Sequence, residues 1–407
     1  MNRVGRVGRR TDGGRGHATT LELFYDLVFV FAITQVTHLL LENLTWAGAG
    51  QASLVLLVVW WSWNYTTWVT NELDPEEPVT RLLLIALMLG SLLMAIAIPD
   101  AFDDKALLFA GSYVGLQVFR HTFLTFAAAR PRTIERERAG RILVWFLLAG
   151  VFWISGALVD GSARVVLWLV ALAVDYAAPL VLYWVPGRPR LSGSTWEVGT
   201  EHFAERFQLF IIVALGESIV ITGATTSDLE LNRPTILAFV VAFLVTASLW
   251  WLYFNLVARI VQEHLEVAKD RTKAARDAYT YLHVLIVAGI IVSAVGDEIV
   301  IAHPSESLHG PELVAVVTGP ALYLLAHVIL RLRLTGTVGL RRLAGAFACV
   351  AVGFLGPRVS ALTLSALLLG ILVVVIAAEH VIATRRSARG EPSTLEQLRT
   401  SGDRGDI

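Results

Sequence analysis

Apolar residues in this chain arrive in blocks of about twenty separated by short polar breaks, with little of the three- and four-residue spacing that marks a half-solvated helix. About twenty apolar residues cross the hydrocarbon core of a bilayer as a helix, and only helices or closed barrels satisfy the backbone there. The blocks run too continuously for barrel strands, whose apolar residues alternate. The expected fold class is therefore all-α, a polytopic integral membrane protein. A composition of 55% hydrophobic and 16% charged residues over 407 positions agrees.

Hydrophobic blocks set against polar breaks predict twelve spans, at 21–41, 49–70, 81–99, 106–128, 142–159, 164–185, 203–223, 235–257, 279–301, 312–332, 342–356 and 360–383. The first block is full length and lacks a small-residue cleavage site after it, so it is expected to remain as the first transmembrane helix. Arginines concentrate in the tail from Arg3 to Arg15, after the fourth span at Arg130 to Arg141, after the eighth at Arg259 to Arg276, after the tenth at Arg331 to Arg342, and at Arg385, Arg386 and Arg389. The alternate loops hold only Lys105, Arg164, Arg233 and Arg358. By the positive-inside rule both termini are cytoplasmic, which places the protein in the cytoplasmic, or inner, membrane.

The second half of the chain echoes the first. Glu22 of "ELFYDLVFVFAI" answers to Glu205 of "ERFQLFIIVALG", Trp60 to Trp250, Asp100 to Asp297, His121 to His327, and Asp175 to Glu379. The separations are 183, 190, 197, 206 and 204 residues, nearly constant. Two parallel six-helix repeats follow, related by an axis along the membrane normal. The expected organisation is a basic cytoplasmic tail at 1–20, a first repeat at 21–185, a linker at 186–202 rich in Pro, Gly and Ser, a second repeat at 203–384, and a disordered tail at 385–407.

Ionisable residues inside the apolar blocks are the candidates for chemistry, because they are costly in hydrocarbon. Glu22 and Asp26 share one helix face, about 6 Å apart along the axis. Thr19-x-x-Glu22 has the form of a capping box, which would account for Glu22. Asp26 lies a turn deeper and must be paired, protonated or facing water. Its candidate partners are Arg206 and Arg120, the latter beside His121 and about 14 Å inside its helix. Such a pair is either a structural lock or a gate at the inner mouth of a pathway.

In "TEHFAERFQLFIIVALGESIVITG" the residues His202, Glu205 and Arg206 share a face, and Glu217, eleven residues past Arg206, returns to the same side. Glu217 has no capping role and joins the proton or cation candidates. Asp175 lies roughly 15 Å into its helix, near the middle of the core. Pro179, four residues on, removes the amide that would bond the Asp175 carbonyl, as in a broken-helix ion site. The alternative is that Asp175 bonds a neighbouring Ser, Tyr or Trp and locks packing. Asp100, Asp297 and Glu298 are expected at outer helix ends, where solvation is easy. The Trp-rich "WWSWNYTTW" suits an interfacial belt or stacking between helices, and Gly111 to Gly115 form a small-residue packing face.

Several functions are excluded. A single cysteine, Cys349, rules out an intrachain disulfide, a thiolate zinc site and an iron–sulfur centre. All three lysines, Lys105, Lys269 and Lys273, lie outside the spans, which leaves no retinal-type Schiff base. No P-loop, nucleophile elbow or paired-histidine zinc motif is present, and His202-x-x-Glu205 lacks comparable ligands elsewhere, so neither cofactor nor metal is expected. Nucleic acid has no part in this reading.

The segment "ELFYDLVFVFAITQVTHLL" together with "HFAERFQLFIIVALGESIV" resembles the bacterial low temperature requirement protein A family, over about residues 17–384. The family's recurrent residues map onto Glu22, Phe24, Asp26, His202, Glu205, Arg206, Gly216 and Glu217. The resemblance implies an integral membrane protein named for a cold-growth phenotype, without a biochemical activity to carry over. The expected function is a secondary transporter or channel-like permease, proton- or cation-coupled, whose partners are the bilayer, a small solute or ion, and a second copy if it forms a homo-oligomer. The alternatives are a lipid-acting membrane enzyme, with His202 and Glu205 as acid and base, and a non-transporting structural or sensory membrane protein.

Overall fold

The computed structural model describes residues 17–128, 133–196 and 198–392, together with Glu396. The arginines from Arg3 to Arg15, Arg130, and the tail beyond residue 392 apart from Glu396 lie outside the described residues, so the disorder expected there is not addressed. Among the described residues all regular structure is helical, with one isolated bridge between Ser307 and Ser360.

The helices in chain order are α1 (Thr20–Glu42), α2 (Trp46–Glu72), α3 (Pro78–Ile96), α4 (Ala106–Phe123), α5 (Ile134–Ala157), α6 (Gly161–Ala177), α7 (Thr200–Ser227), α8 (Arg233–Leu252), α9 (Ala258–Val267), α10 (Arg271–Ala275), α11 (His283–Ala302), α12 (Gly310–Thr335), α13 (Leu340–Gly353) and α14 (Ala361–Ala388). Three π-helical turns extend or join them: Leu124–Ala128 after α4, Tyr253–Val257 between α8 and α9, and Arg276–Leu282 between α10 and α11. Side-chain caps open several helices. Thr133 accepts from the Arg136 amide at 3.4 Å, Asn232 from Thr235 at 3.0 Å, and Ser360 from Thr363 at 3.2 Å.

Among the described residues nine helical stretches are long and apolar enough to cross a membrane: α1, α3, α5, α7, α8 with α9, α10 with α11, α12, Leu340–Arg358 and α14. The chain is thus an all-α, multi-pass membrane protein. The other three expected spans coincide with α2, α4 and α6, which are less apolar or shorter for visible reasons. α2 dilutes its run with Trp60, Trp61, Trp63 and Asn64, α4 carries Gln117, Arg120 and His121, and α6 has 17 residues.

α6 also ends earlier than the expected 185. It stops at Ala177, and the chain beyond Pro179 folds into turns in which Leu182 (φ 51°) and Tyr183 (φ 53°) adopt the left-handed conformation. Ala178 still has helical dihedrals, and Pro179 then lacks the amide that would continue the ladder to the Asp175 carbonyl, which accounts for the stop. Left-handed backbone costs about 1–2 kcal/mol per residue. Burial of the Tyr183 side chain, whose hydroxyl lies 2.7 Å from that of Tyr65, offsets it.

The chain divides into two compact units. Unit 1 comprises Met1–Leu39 and Gly50–Arg206, and unit 2 comprises Leu40–Ala49 and Phe207–Ile407. In unit 1, α3, α4, α5 and α6 pack each on the next. The "WWSWN" segment is buried inside this unit and is not an interfacial belt: Trp60, Trp61 and Trp63 are at most 1% exposed, and Trp61 stacks on Tyr176 at 3.8 Å.

In unit 2, α11, α12, α13, α14 and α8 form a closed ring of neighbours. The α11–α12 contact is tightest because glycines remove the side chains between them. A Cβ on Gly289 would lie 2.8 Å from the Tyr323 backbone, one on Gly296 3.0 Å from Val316 Cα, and one on Gly319 2.6 Å from the Ser293 backbone. Gly111 and Gly115 depart from the packing face expected of them, since among the described residues a Cβ at either would meet nothing within 4 Å.

Candidate functional site

The N-terminal turns of α1 and α7, both within unit 1, carry acid on one helix and base on the other. Glu22 Oε1 lies 2.9 Å from His202 Nε2, and Asp26 Oδ1 accepts from Arg206 Nη2 at 2.8 Å. Each pair spans 180 positions, and each helix places its two members four apart. Four residues advance a helix by little more than one turn, so α1 and α7 run parallel here and meet in two successive rungs. The four side chains are no more than 3% exposed.

Further groups fix this ladder. Glu22 Oε2 accepts from the Thr19 amide at 2.9 Å and the Thr19 hydroxyl at 3.0 Å, so the same carboxylate caps α1 and contacts His202. His202 Nδ1 lies 3.5 Å from Asn71 Oδ1. Asp26 Oδ1 also accepts from Trp63 Nε1 at 2.8 Å, and the Arg206 guanidinium sits 5.8 Å from the Trp63 ring centroid. The rung is nevertheless incompletely satisfied. Among the described residues Asp26 Oδ2 and Arg206 Nε and Nη1 have no hydrogen-bond partner.

Arg120, the other cation considered for Asp26, is held elsewhere. Its guanidinium donates to the Ser62 carbonyl at 3.1 Å, to Thr66 Oγ1 at 2.6 Å and to the Gln117 side-chain oxygen. It is 1% exposed and, among the described residues, pairs with no carboxylate. Thr66 also lies 2.7 Å from the Tyr25 hydroxyl, which ties this cluster to the face of α1 that bears the ladder. His121 points its Nδ1 to the Gln117 carbonyl at 2.9 Å and packs against Phe146.

Asp175 is buried with Oδ2 accepting from Tyr113 at 2.8 Å and from Trp153 at 2.9 Å. Its partners are thus a tyrosine and a tryptophan, and Pro179 lies beyond the end of α6. Glu205 is the least buried of the set and accepts from the Ala18 amide at 2.7 Å, with His17 at 3.4 Å. Glu217 is buried in the part of α7 that belongs to unit 2. No group of three or more His, Cys, Asp or Glu able to hold a metal occurs among the described residues.

Residues 17–377 match the profile of the Bacterial low temperature requirement A protein (LtrA) family. The chain belongs to this family. An uncharacterized protein of Rhizobium meliloti (strain 1021), RA0937, is 39% identical over 318 residues, covering 78% of this chain and 77% of its own length. No solved structure matches.

In this LtrA protein the two motif segments, "ELFYD" and "HFAER", are the two sides of the ladder. The alternative of a Tyr or Trp partner for Asp175 is met by Tyr113 and Trp153, while Trp63 and Asn71 on the ladder and Thr66 and Gln117 around Arg120 were not legible in the sequence. Uncharged polar partners carry no signal until a helix face is known. Reading the sequence also missed two further ion pairs, Arg138 with Glu72 and the two-pronged Arg342 with Glu379 at 2.8 and 2.9 Å. Asp297 was expected at a solvated helix end, and that is corrected by its burial at 5% exposure, because α11 continues through Ala302 and α12 lies close against it.

Proposed function

We propose that this LtrA protein is a secondary transporter or channel-like permease of the cytoplasmic membrane, with twelve spans in two parallel six-helix repeats and both termini cytoplasmic. The observation that carries the reading is the buried Glu22–His202 and Asp26–Arg206 ladder, whose rung at Asp26 leaves polar atoms without partners. Desolvation makes an ion pair in hydrocarbon a poor device for stability alone, and intramembrane charge of this kind marks solute, ion or proton routes. In this reading Asp26 and Arg206 exchange partners as the pathway opens. Arg120 and His121 flank them, and Asp175, Glu205 and Glu217 are further points at which an ion or proton is held.

A lipid-modifying reaction is the weaker reading, since His202 is 3% exposed and both its ring nitrogens already face side-chain oxygens. The test is proton and cation flux in proteoliposomes of purified protein under an imposed pH gradient or membrane potential. Flux in the wild type that is lost in Asp26→Asn and Glu217→Gln is the expected result. Folded variants with unaltered flux would remove these carboxylates from the pathway. A product in lipid extracts that disappears with His202→Ala, without flux, would favour the enzyme.

A further inference from the structure

Unit 2 contains a small cavity where α8, α11, α12 and α14 meet, lined by Ser293, Asp297, Val316, Pro320, Ser365 and Leu368 among others. It has room for one water-sized particle. Its polar lining consists of oxygen donors. Asp297 supplies a carboxylate that is 5% exposed, whose Oδ2 has no hydrogen-bond partner and which has no ion-pair partner among the described residues. Ser293 uses its proton on the Gly289 carbonyl at 2.8 Å, so its remaining lone pairs can only accept or coordinate. Ser365 adds a second buried hydroxyl.

The backbone contributes as well. Pro320 stands inside α12 and lacks the amide that would bond the carbonyl of Val316, four residues earlier. Both residues line the cavity. Gly296 lets the backbone at Val316 approach α11 to 3.0 Å of where a Cβ would stand, on the same helix turn as Asp297. A carboxylate, hydroxyls that cannot all donate, and a carbonyl released by proline form a hard-oxygen set with one negative charge. Nothing in the lining supplies a cation to balance it.

We propose that this cavity is a binding site for one monovalent cation of the size of sodium, with Asp297 as its charged ligand and Ser293, Ser365 and the Val316 carbonyl as neutral ones. One unit of charge matches a monovalent ion, and hard cations take oxygen ligands of this kind. The available space suits a small dehydrated ion. The site stands on the geometry of unit 2 and does not depend on the protein being a transporter.

The experiment uses the purified full chain in detergent at mildly alkaline pH. Radiolabelled sodium binding is measured at equilibrium, and melting temperature is compared in sodium chloride and choline chloride at equal ionic strength. The expected result is saturable binding of one sodium per chain and a higher melting temperature in sodium, because a ligand that binds only the folded state stabilises it. Asp297→Asn loses both effects, and Ser365→Ala binds roughly tenfold more weakly. Absence of saturable binding by monodisperse wild-type protein overturns the assignment, as does full binding by a folded Asp297→Asn. Should Asp297→Asn not fold, unchanged affinity in Ser365→Ala overturns it. Equal displacement by potassium overturns the size selectivity. Because binding and flux are separate readouts, failure of the site and failure of the transport reading are distinguishable.

Discussion

Asp26 and Arg206 lie 180 positions apart and meet at 2.8 Å with both side chains essentially sealed from solvent, one oxygen of the acid and two nitrogens of the base left without hydrogen bonds. A buried pair of this kind is far more sensitive to the loss of one partner than to the loss of both. Removing one leaves an uncompensated charge, at a cost of about 3–5 kcal/mol, while replacing both by apolar residues of similar volume is often neutral. We expect Arg206→Met and Asp26→Leu each to lower the melting temperature sharply, and the double variant to recover most of the loss. A thermal-unfolding double-mutant cycle in detergent measures this, and additive single effects would show that the pair is not coupled.

Arg120 tests the other buried cation. Its fork reaches a carbonyl, a hydroxyl and an amide oxygen at once, which a lysine ammonium on a flexible stem does not reproduce. Arg120→Lys is expected to destabilise by about 1.5–3 kcal/mol, the scale of hydrogen bonds to a charged group. Retention of wild-type stability would mean that charge alone matters at this position.

At Asp175 the hydrogen-bond acceptor matters more than the charge. Asparagine keeps an oxygen for Tyr113 and Trp153, whereas leucine leaves a phenol and an indole N–H buried and unpaired. Unpaired buried donors cost about 1–3 kcal/mol each. Thermal melts should therefore rank Asp175→Asn well above Asp175→Leu. Equal losses would point to the carboxylate charge as the essential feature.

The glycines supply a prediction with opposite signs. Gly289→Ala and Gly319→Ala place a methyl against helix backbone that has nowhere to move, and overpacking typically costs about 1–3 kcal/mol. Gly111→Ala and Gly115→Ala meet open space, and the helix propensity of alanine favours them by up to about 1 kcal/mol. Melting temperatures of the four single variants decide it, and a uniform response would contradict the close approach of α11 and α12.

What could be read from the sequence follows from what is local. Helix positions were legible because an apolar run of membrane length has few alternatives, and Arg206 was legible as a candidate partner because a carboxylate one turn deeper than a cap calls for a cation. The burial of Asp297 was not legible. Its depth depends on how far α11 runs and on how closely Gly296 and Gly319 admit α12, and both are tertiary facts. The end of α6 is a different case. Pro179 was visible, but a single proline permits either a kinked or a terminated helix, and the left-handed turn at Leu182 and Tyr183 depends on a pocket for the tyrosine ring.

The three π-helical turns have a consequence for counting along the chain. Each accommodates a residue that an α-turn would not, and since one residue corresponds to about 100° of rotation, everything after the turn is out of phase with everything before it. His283 shows the offset directly: its Nδ1 finds the Ala278 carbonyl five residues back at 2.9 Å, where His121 and His327 address the carbonyl four back. α8 and α9 therefore form one rod with two angular origins, as do α10 and α11. A one-residue deletion placed inside Tyr253–Val257 would bring the two origins into line, and would turn the inward face of whichever helix half is free to rotate by more than a quarter of a circle.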